Sequence, residues 1–161
     1  MKIYEIAKNI EKEGEQFYRG LAEKTNDPGL KSILNMMAED EVKHYRIFER
    51  LEQKEDAPME DTFVLRNAKA IFEQMRGAYE GFDSDTPQDD VYSKAIESEN
   101  ETLKVYEDIL EQAETEQQKE VIRKIMEEEK KHAYLLENMR DFLRRPTQWL
   151  EDAEYRHLEQ Y

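Results

Sequence analysis

Residues 30–51, LKSILNMMAEDEVKHYRIFERL, decide the fold class of this chain. Apolar side chains recur there with the spacing of one helical face, at Leu30, Leu34, Met37, Phe48 and Leu51. Glu41 and His44 occupy the same face, so a carboxylate and an imidazole interrupt an otherwise apolar stripe. We therefore predict a helix that carries a polar pair into the protein interior.

The same pattern returns later in the chain at a constant offset of 88 residues. Four pairs share that offset without a gap: Glu11 and Glu99, Tyr18 and Tyr106, Glu41 and Glu129, and His44 and His132. Glutamates match easily in so acidic a chain, but there are only three histidines, and two of them stand at equivalent positions. We interpret the chain as a duplicated helix hairpin.

Four long helices are predicted, over roughly residues 2–25, 28–53, 87–112 and 116–144. Asn26-Asp27-Pro28 and Thr86-Pro87 supply start signals, Thr115 with Gln118 fits a capping box, and Pro146 ends the last helix. The apolar face of the first helix is expected at Ile3, Ile6, Ala7, Ile10, Phe17, Tyr18 and Leu21.

The connection between the second and third helices is too long for a hairpin loop. It carries an amphipathic segment, Phe63 to Met75, that ends near Gly77 and Gly81. We therefore predict an all-α four-helix bundle, in which a long crossover joins two antiparallel hairpins. Residues 1–144 form this bundle, and residues 145–161 form a tail that packs on the bundle or on a partner subunit through Trp149, Tyr155, Leu158 and Tyr161.

Composition excludes several classes of protein. The formal charge of −15 argues against nucleic acid and anionic membranes as partners. No cysteine is present, which excludes thiolate metal sites and cysteine nucleophiles. No stretch approaches the roughly 20 apolar residues of a membrane span, and the N-terminus has no signal-like core. A cytoplasmic location is expected.

Charge balance inside the bundle predicts a metal site. Glu11, Glu41, Glu99 and Glu129 all fall on inner faces, and four buried carboxylates would protonate or disrupt the core unless cations neutralise them. Residues three apart on a helix can present a carboxylate and an imidazole to one metal pair. Oxygen and nitrogen ligands without thiolates favour iron or manganese over structural zinc, although zinc stays an alternative.

The chain resembles the rubrerythrin branch of the ferritin-like proteins over residues 1–144. The resemblance rests on EKEGEQFYRGLAE (11–23) and EDEVKHY (39–45) in the first half, and on ESENETLKVYEDIL (97–110) and EEEKKHAYLL (127–136) in the second. It implies a ferritin-like fold and two iron ions per chain. Glu41 and Glu129 would bridge them, Glu11 and Glu99 would be terminal ligands, His44 and His132 imidazole ligands, and Tyr18 and Tyr106 hydrogen-bond donors to the ligands.

The resemblance also implies a function, with two departures. Typical members reduce hydrogen peroxide at the di-iron centre, and relatives oxidise ferrous iron with oxygen or peroxide. The usual rubredoxin-like module with four cysteines is absent, so an external electron donor is expected. The usual extra glutamate one turn beyond Glu99 is replaced by Thr102, which mirrors Gly14, and Glu101 is expected to point off the metal face. A homodimer is the family expectation.

Three functions remain open at this point: a di-iron oxidoreductase, an iron-binding or iron-buffering protein without efficient turnover, and a metal-free interaction module. In the last, the Glu-His pairs would form a satisfied polar network. The alternative for Tyr18 and Tyr106 is that they are ordinary core aromatics.

Other residues that could carry chemistry are given structural roles. We expect Met36, Met37, Met126 and Met139 to fill the core rather than to bind metal. The run from Glu127 to Lys131 is expected to be a solvated face apart from Glu129, and His157 a surface or interface residue.

Overall fold

The computed structural model describes residues 2–79, 81 and 86–160. All the regular secondary structure of these residues is helical. The helices are α1 (Lys2–Glu23), α2 (Pro28–Glu52), α3 (Val64–Met75), α4 (Asp89–Gln112), α5 (Glu116–Arg144) and α6 (Pro146–Glu151), followed by a 3-10 helix (Glu154–Gln160). The part of the chain that is described contains no strand. None of its helices has the length and apolar character needed to cross a membrane.

The four long helices form two hairpins. α1 packs mainly against α2, and α4 packs mainly against α5, while smaller contacts join α1 to α4 and α2 to α5. α3 lies in the long connection between the hairpins and contacts α2 and the C-terminal elements. The chain therefore has the predicted all-α, ferritin-like architecture of two repeated hairpins with a crossover.

Helix starts agree with the sequence signals at two of three places. The Leu30 amide donates to Asp27 Oδ1 at 2.9 Å, so Asp27 caps α2 ahead of Pro28. Thr115 and Gln118 form the predicted capping box of α5. The expectation for the third long helix was wrong by two residues. α4 begins at Asp89, because its first turn closes on the carbonyl of Gln88.

The apolar face of α1 is narrower than its sequence indicates. Ile6 is 46% exposed and Phe17 is 41% exposed, so both lie outside the core. The buried stripe consists of Ile3, Tyr4, Ala7, Glu11, Tyr18, Leu21 and Ala22. Ile6 and Phe17 lie one position from that stripe, about 100° around the helix, where periodicity alone cannot separate a core side chain from one at its edge.

The tail adds two short elements that pack on the bundle. Trp149 of α6 is buried, with its ring centroid 4.5 Å from Phe72 of α3 and 5.4 Å from Phe142 of α5. Tyr155 packs on Trp149, and Leu158 is fully buried. Tyr161, the last aromatic residue of the predicted tail, lies outside the described residues.

Two apolar clusters lie on either side of a polar layer. One contains Leu30 to Ala38 of α2 and Leu135 to Leu143 of α5, together with the α3 and tail residues. The other contains Ile47 to Leu51 of α2 and Ile122 to Met126 of α5. The Glu-His pairs occupy the helix segments between these clusters, so the fold places six polar side chains in the middle of the bundle.

Candidate metal centre

Four carboxylates and two imidazoles meet in the bundle interior, one carboxylate each from α1 and α4 and one Glu-His pair each from α2 and α5. They form two groups that could hold a metal ion, in each of which the ligand atoms lie within 4.8 Å of one another. One group is Glu11, Glu41, His44 and Glu129, and the other is Glu41, Glu99, Glu129 and His132. All six side chains are buried.

Glu41 and Glu129 belong to both groups. Each stands three residues before a histidine, so one helical turn directs both side chains inward. Glu11 belongs only to the first group and Glu99 only to the second. The arrangement therefore has two ends, related by the 88-residue repeat, and a shared pair of carboxylates between them.

Each imidazole turns its Nδ1 atom toward the carboxylates. His44 Nδ1 lies 3.2 Å from Glu11 Oε2 and 2.8 Å from Glu129 Oε1. His132 Nδ1 lies 3.0 Å from Glu41 Oε1. Both Nε2 atoms turn the other way, which leaves Nδ1 as the ligand atom that each ring offers to the centre of the bundle.

Several of these atoms are buried without a hydrogen bond. Among the described residues, Glu41 Oε1, Glu99 Oε2, Glu129 Oε1 and His132 Nδ1 have no partner of suitable geometry, although His132 Nδ1 and Glu41 Oε1 are only 3.0 Å apart. Buried polar atoms are normally satisfied. Short separations without hydrogen-bond alignment fit atoms that converge on shared cations, and nitrogen and oxygen donors suit iron or manganese. The residues present fit a metal pair.

A second pair of carboxylates lies behind the imidazoles. His44 Nε2 is 2.8 Å from Glu128 Oε1, and His132 Nε2 is 2.9 Å from Asp40 Oδ2. Such partners fix the ring orientation and raise the basicity of a metal-binding histidine. The expectation that Glu128 lies on a solvated face was therefore wrong, because this residue is only 4% exposed.

The sequence held one signal for this outer pair. Asp40 and Glu128 are themselves separated by 88 residues, each directly before a shared glutamate. Matched acidic residues carry little weight in a chain with 39 aspartates and glutamates, so the repeat alone did not single them out.

Two tyrosines link the hairpins at the site. The Tyr18 hydroxyl of α1 donates to Glu99 Oε1 of α4 at 2.5 Å. The Tyr106 hydroxyl of α4 donates to Glu11 Oε1 of α1 at 2.9 Å. Each tyrosine thus holds the terminal carboxylate of the opposite hairpin, which leaves the second oxygen of that carboxylate directed to the centre.

Burial and neighbouring charges shift the pKa values of the site residues. It raises the pKa of Glu41 and Glu99 well above the usual range, and repulsion by Glu11 on Glu41 and by Glu129 on Glu99 adds to the effect. Burial would lower the pKa of His44, but the carboxylates of Glu11 and Glu128 raise it well above its ordinary value. Since a metal ligand must be deprotonated, these upward shifts mean that metal binding at these groups would compete with protons.

His132 behaves in the same way, since the hydrogen bond to Asp40 and the nearby carboxylates of Glu41 and Glu129 outweigh burial and raise its pKa. Asp40 shows the opposite shift. Burial disfavours its charge, yet His132 and Thr62 hold the pKa of this carboxyl below its usual value. The outer carboxylate is thus stabilised as an anion beside the imidazole that it orients.

A cavity of about 470 Å³ opens between α1 and α4 and reaches the site from one side. Of the described site residues, Glu41, Glu99, Glu129 and Tyr18 line it, whereas Glu11 and the two imidazoles do not. Gly14, Ser98, Glu101 and Thr102 lie along its walls. The two groups therefore differ in access, because only the Glu99 end contributes its own carboxylate to the cavity.

The structure places the four methionines in or against the apolar core and His157 on the surface. Met37 and Met139 are fully buried in the core, Met126 is buried, and Met36 packs against the core. His157 is exposed in the 3-10 helix, where its carbonyl accepts a hydrogen bond from the Tyr134 hydroxyl.

Comparison with known proteins agrees with this geometry. The family model described as Rubrerythrin matches residues 2–140. No curated protein and no solved structure matches the chain. The matched span contains the first hairpin, nearly all of the second, both Glu-His pairs and both tyrosines, and it covers most of the 161 residues. The chain therefore belongs to the rubrerythrin family.

Proposed function

We propose that the chain is a di-iron protein that reduces hydrogen peroxide or oxygen. Glu41 and Glu129 would bridge the two ions, Glu11 with His44 would complete one end, and Glu99 with His132 would complete the other. The observation that carries this proposal is the pair of overlapping ligand groups with Glu41 and Glu129 in common. Manganese or zinc in the same ligands is the alternative metal content.

When bound, two ferrous ions would supply the two electrons that, with two protons, reduce one peroxide to two water molecules. The side chains bind and tune the metals rather than react themselves. Because Tyr18 and Tyr106 each occupy one oxygen of a terminal carboxylate, they would hold Glu99 and Glu11 in place while metal charge changes.

The cavity between α1 and α4 supports a small-molecule oxidant. It reaches three carboxylates of the site, and its walls include the small side chains Gly14, Ser98 and Thr102. Peroxide and oxygen are small enough to enter such a cavity, which Tyr18 also lines. The oxidant would therefore approach the Glu99 end first.

Electrons would come from ferrous iron itself or from an external carrier. We also propose that the chain is a cytoplasmic homodimer, the dimer being the family expectation. Light scattering of the purified chain tests the dimer directly.

Iron binding without efficient turnover is the second candidate. One observation favours it: the positions one turn after Glu11 and Glu99 hold Gly14 and Thr102, and both line the cavity without offering a carboxylate. The site would then hold iron in six side chains, without the further carboxylate that either of these two positions could supply.

The first experiment measures iron after anaerobic loading with Fe(II), in the wild-type chain and in the double variant His44→Ala, His132→Ala. Near two irons per chain, lost in the double variant, are expected. His157→Ala is the matched control, because this histidine lies in the tail, and it should load like the wild type. Equal, substoichiometric iron in all three proteins would contradict the di-iron site.

A second measurement separates the two candidate functions. The diferrous protein is mixed with peroxide, and the absorbance of the oxidised centre is followed in time. Rapid oxidation, followed by re-reduction with an added carrier, supports the oxidoreductase. Slow oxidation at full iron occupancy supports iron binding without efficient turnover.

A further inference from the structure

One lysine contacts both carboxylates that lie behind the imidazoles. Lys43 Nζ lies 2.8 Å from Glu128 Oε1 and 3.0 Å from Glu128 Oε2. The same ammonium is 3.9 Å from Asp40 Oδ1. Because Glu128 accepts from His44 and Asp40 accepts from His132, a single charge is connected to both rings.

This lysine also contacts the crossover between α2 and α3. Lys43 Nζ donates to the carbonyl of Glu60 at 2.8 Å, and the Thr62 hydroxyl donates to Asp40 Oδ2 at 2.6 Å. The lysine side chain is only 25% exposed, so its contacts are shielded from solvent more than those of a surface ion pair. The bridge closes the α2 and α5 side of the bundle, opposite the cavity between α1 and α4.

The repeat does not provide a second copy of this bridge. Lys131 stands 88 residues after Lys43, but it makes no ion pair with any residue that the structure describes. The bridge therefore breaks the symmetry of the two halves, and a single residue of the first hairpin serves both ends of the site.

We propose that Lys43 is a positioning residue that joins Glu128 and Asp40 and thereby limits how strongly both imidazoles donate electrons to the metal pair. An ammonium that shares a carboxylate with an imidazole N–H weakens the pull of that carboxylate on the ring proton. Without the lysine, both rings become stronger electron donors to the metal, and one positive charge near the site is lost. Both changes favour ferric over ferrous iron.

The first test uses the metal-free protein and does not depend on iron. Nitrogen-15 NMR resolves the ring nitrogens of His44, His132 and His157, the three histidines of the chain. In Lys43→Met the Nε2 resonances of His44 and His132 should both move, while those of His157, which lies outside the cluster, should not. Lys131→Met should leave all three unchanged, and Lys43→Arg should resemble the wild type.

The second test rests on the proposed function and measures the reduction potential of the iron-loaded protein. Lys43→Met should lower the reduction potential. The preference for ferric over ferrous iron should rise on the order of tenfold, at the lower end of the effects of residues that contact metal ligands. Lys131→Met should not change it.

The results separate the two proposals. A wild-type chain that binds no iron contradicts the di-iron function, while the NMR comparison still decides the bridge. Movement of the His44 resonances alone, or of neither ring, overturns the bridge. If the reduction potential of Lys43→Met is unchanged or raised, the proposed effect of Lys43 on electron donation is wrong.

Discussion

The hydroxyl of Tyr18 on α1 donates a 2.5 Å hydrogen bond to Glu99 on α4, across the boundary between the two halves of the chain. The equivalent bond from Tyr106 to Glu11 runs in the opposite direction at 2.9 Å. The hairpins are thus joined at the candidate metal centre by two reciprocal bonds, each of which holds one oxygen of Glu99 or Glu11.

Tyr18→Phe is expected to weaken metal binding at the Glu99 end by roughly tenfold, because loss of an outer hydrogen bond costs about 10–100-fold in metal affinity. Titration of the metal-free protein with Co(II), followed by its visible absorption, measures both binding steps. Tyr92→Phe is the control, since this buried hydroxyl has no hydrogen-bond partner among the described residues. Equal losses of metal affinity in the two variants would show that the hydrogen bond of Tyr18 does not contribute specifically to metal binding.

Gly14→Ala is expected to disturb the shared carboxylate. A Cβ atom at Gly14 would lie 2.5 Å from Glu41 Oε2, closer than any normal contact, so the flexible glutamate must move. We expect fewer than two irons per chain with little loss of folding stability. Gly20→Ala, on the same helix and with no atom within 4 Å of the added carbon, should retain full iron and gain about 0.5–1 kcal/mol in unfolding free energy. Full iron loading of Gly14→Ala would argue against Glu41 as a bridging ligand.

The unfolding free energy of the metal-free protein is expected to fall as pH rises from about 5 to about 8. Glu41, Glu99, His44 and His132 all have folded-state pKa values raised above their ordinary values. Such groups stabilise the fold below their unfolded pKa, and this contribution is lost as pH rises through the folded one. The lowered pKa of Asp40 acts only below its ordinary value of 3.8, outside this range.

Urea unfolding of the metal-free protein at several pH values measures this slope. The double variant Glu41→Gln, Glu99→Gln should flatten it, because two of the proton-binding groups are gone. Metal affinity should change in the opposite direction and increase with pH, since binding releases the retained protons. A metal-free stability that rises with pH across this range would contradict the prediction.

Ser98→Trp is expected to slow the reaction of the loaded protein with peroxide while leaving iron stoichiometry unchanged. Ser98 lines the cavity between α1 and α4, and an indole there would fill the approach to Glu99. Stopped-flow absorbance measures the rate. Lys104→Trp places the same side chain at an exposed position of α4 outside the cavity lining and is the control. Similar rates in both variants would mean that the oxidant enters elsewhere.

Trp149→Ala is expected to lower the unfolding free energy by about 3–5 kcal/mol, the usual cost of removing a buried aromatic side chain. Trp149 is 1% exposed and packs on Phe72 and Phe142, so the loss would leave a cavity between α3, α5 and the tail. Chemical denaturation measures the change, with the 41% exposed Phe17→Ala as control. A small effect would indicate that the tail contributes little to the stability of the bundle.

Much of the fold was predictable because helical periodicity is local. The stripe from Leu30 to Leu51 and the offset of 88 residues identify the hairpins without any knowledge of how they pack. The errors lie at the edges of these patterns. Ile6 and Phe17 are exposed, and α4 starts two residues late, because exposure depends on the neighbouring helix and a helix start depends on which carbonyl closes its first turn.

The sequence by itself determined that two Glu-His pairs and two further glutamates face inward, since spacing on a helix sets which side chains share a face. Only the tertiary structure decided what surrounds them. Asp40 and Glu128 lie one residue from the inner stripe, and only the approach of α2 to α5 brings each to the imidazole of the other hairpin. Lys43 bridges both and also donates to the Glu60 carbonyl in the crossover, whereas the equivalent Lys131 makes no ion pair with a residue that the structure describes. Contacts between distant segments depend on packing, which no local repeat encodes.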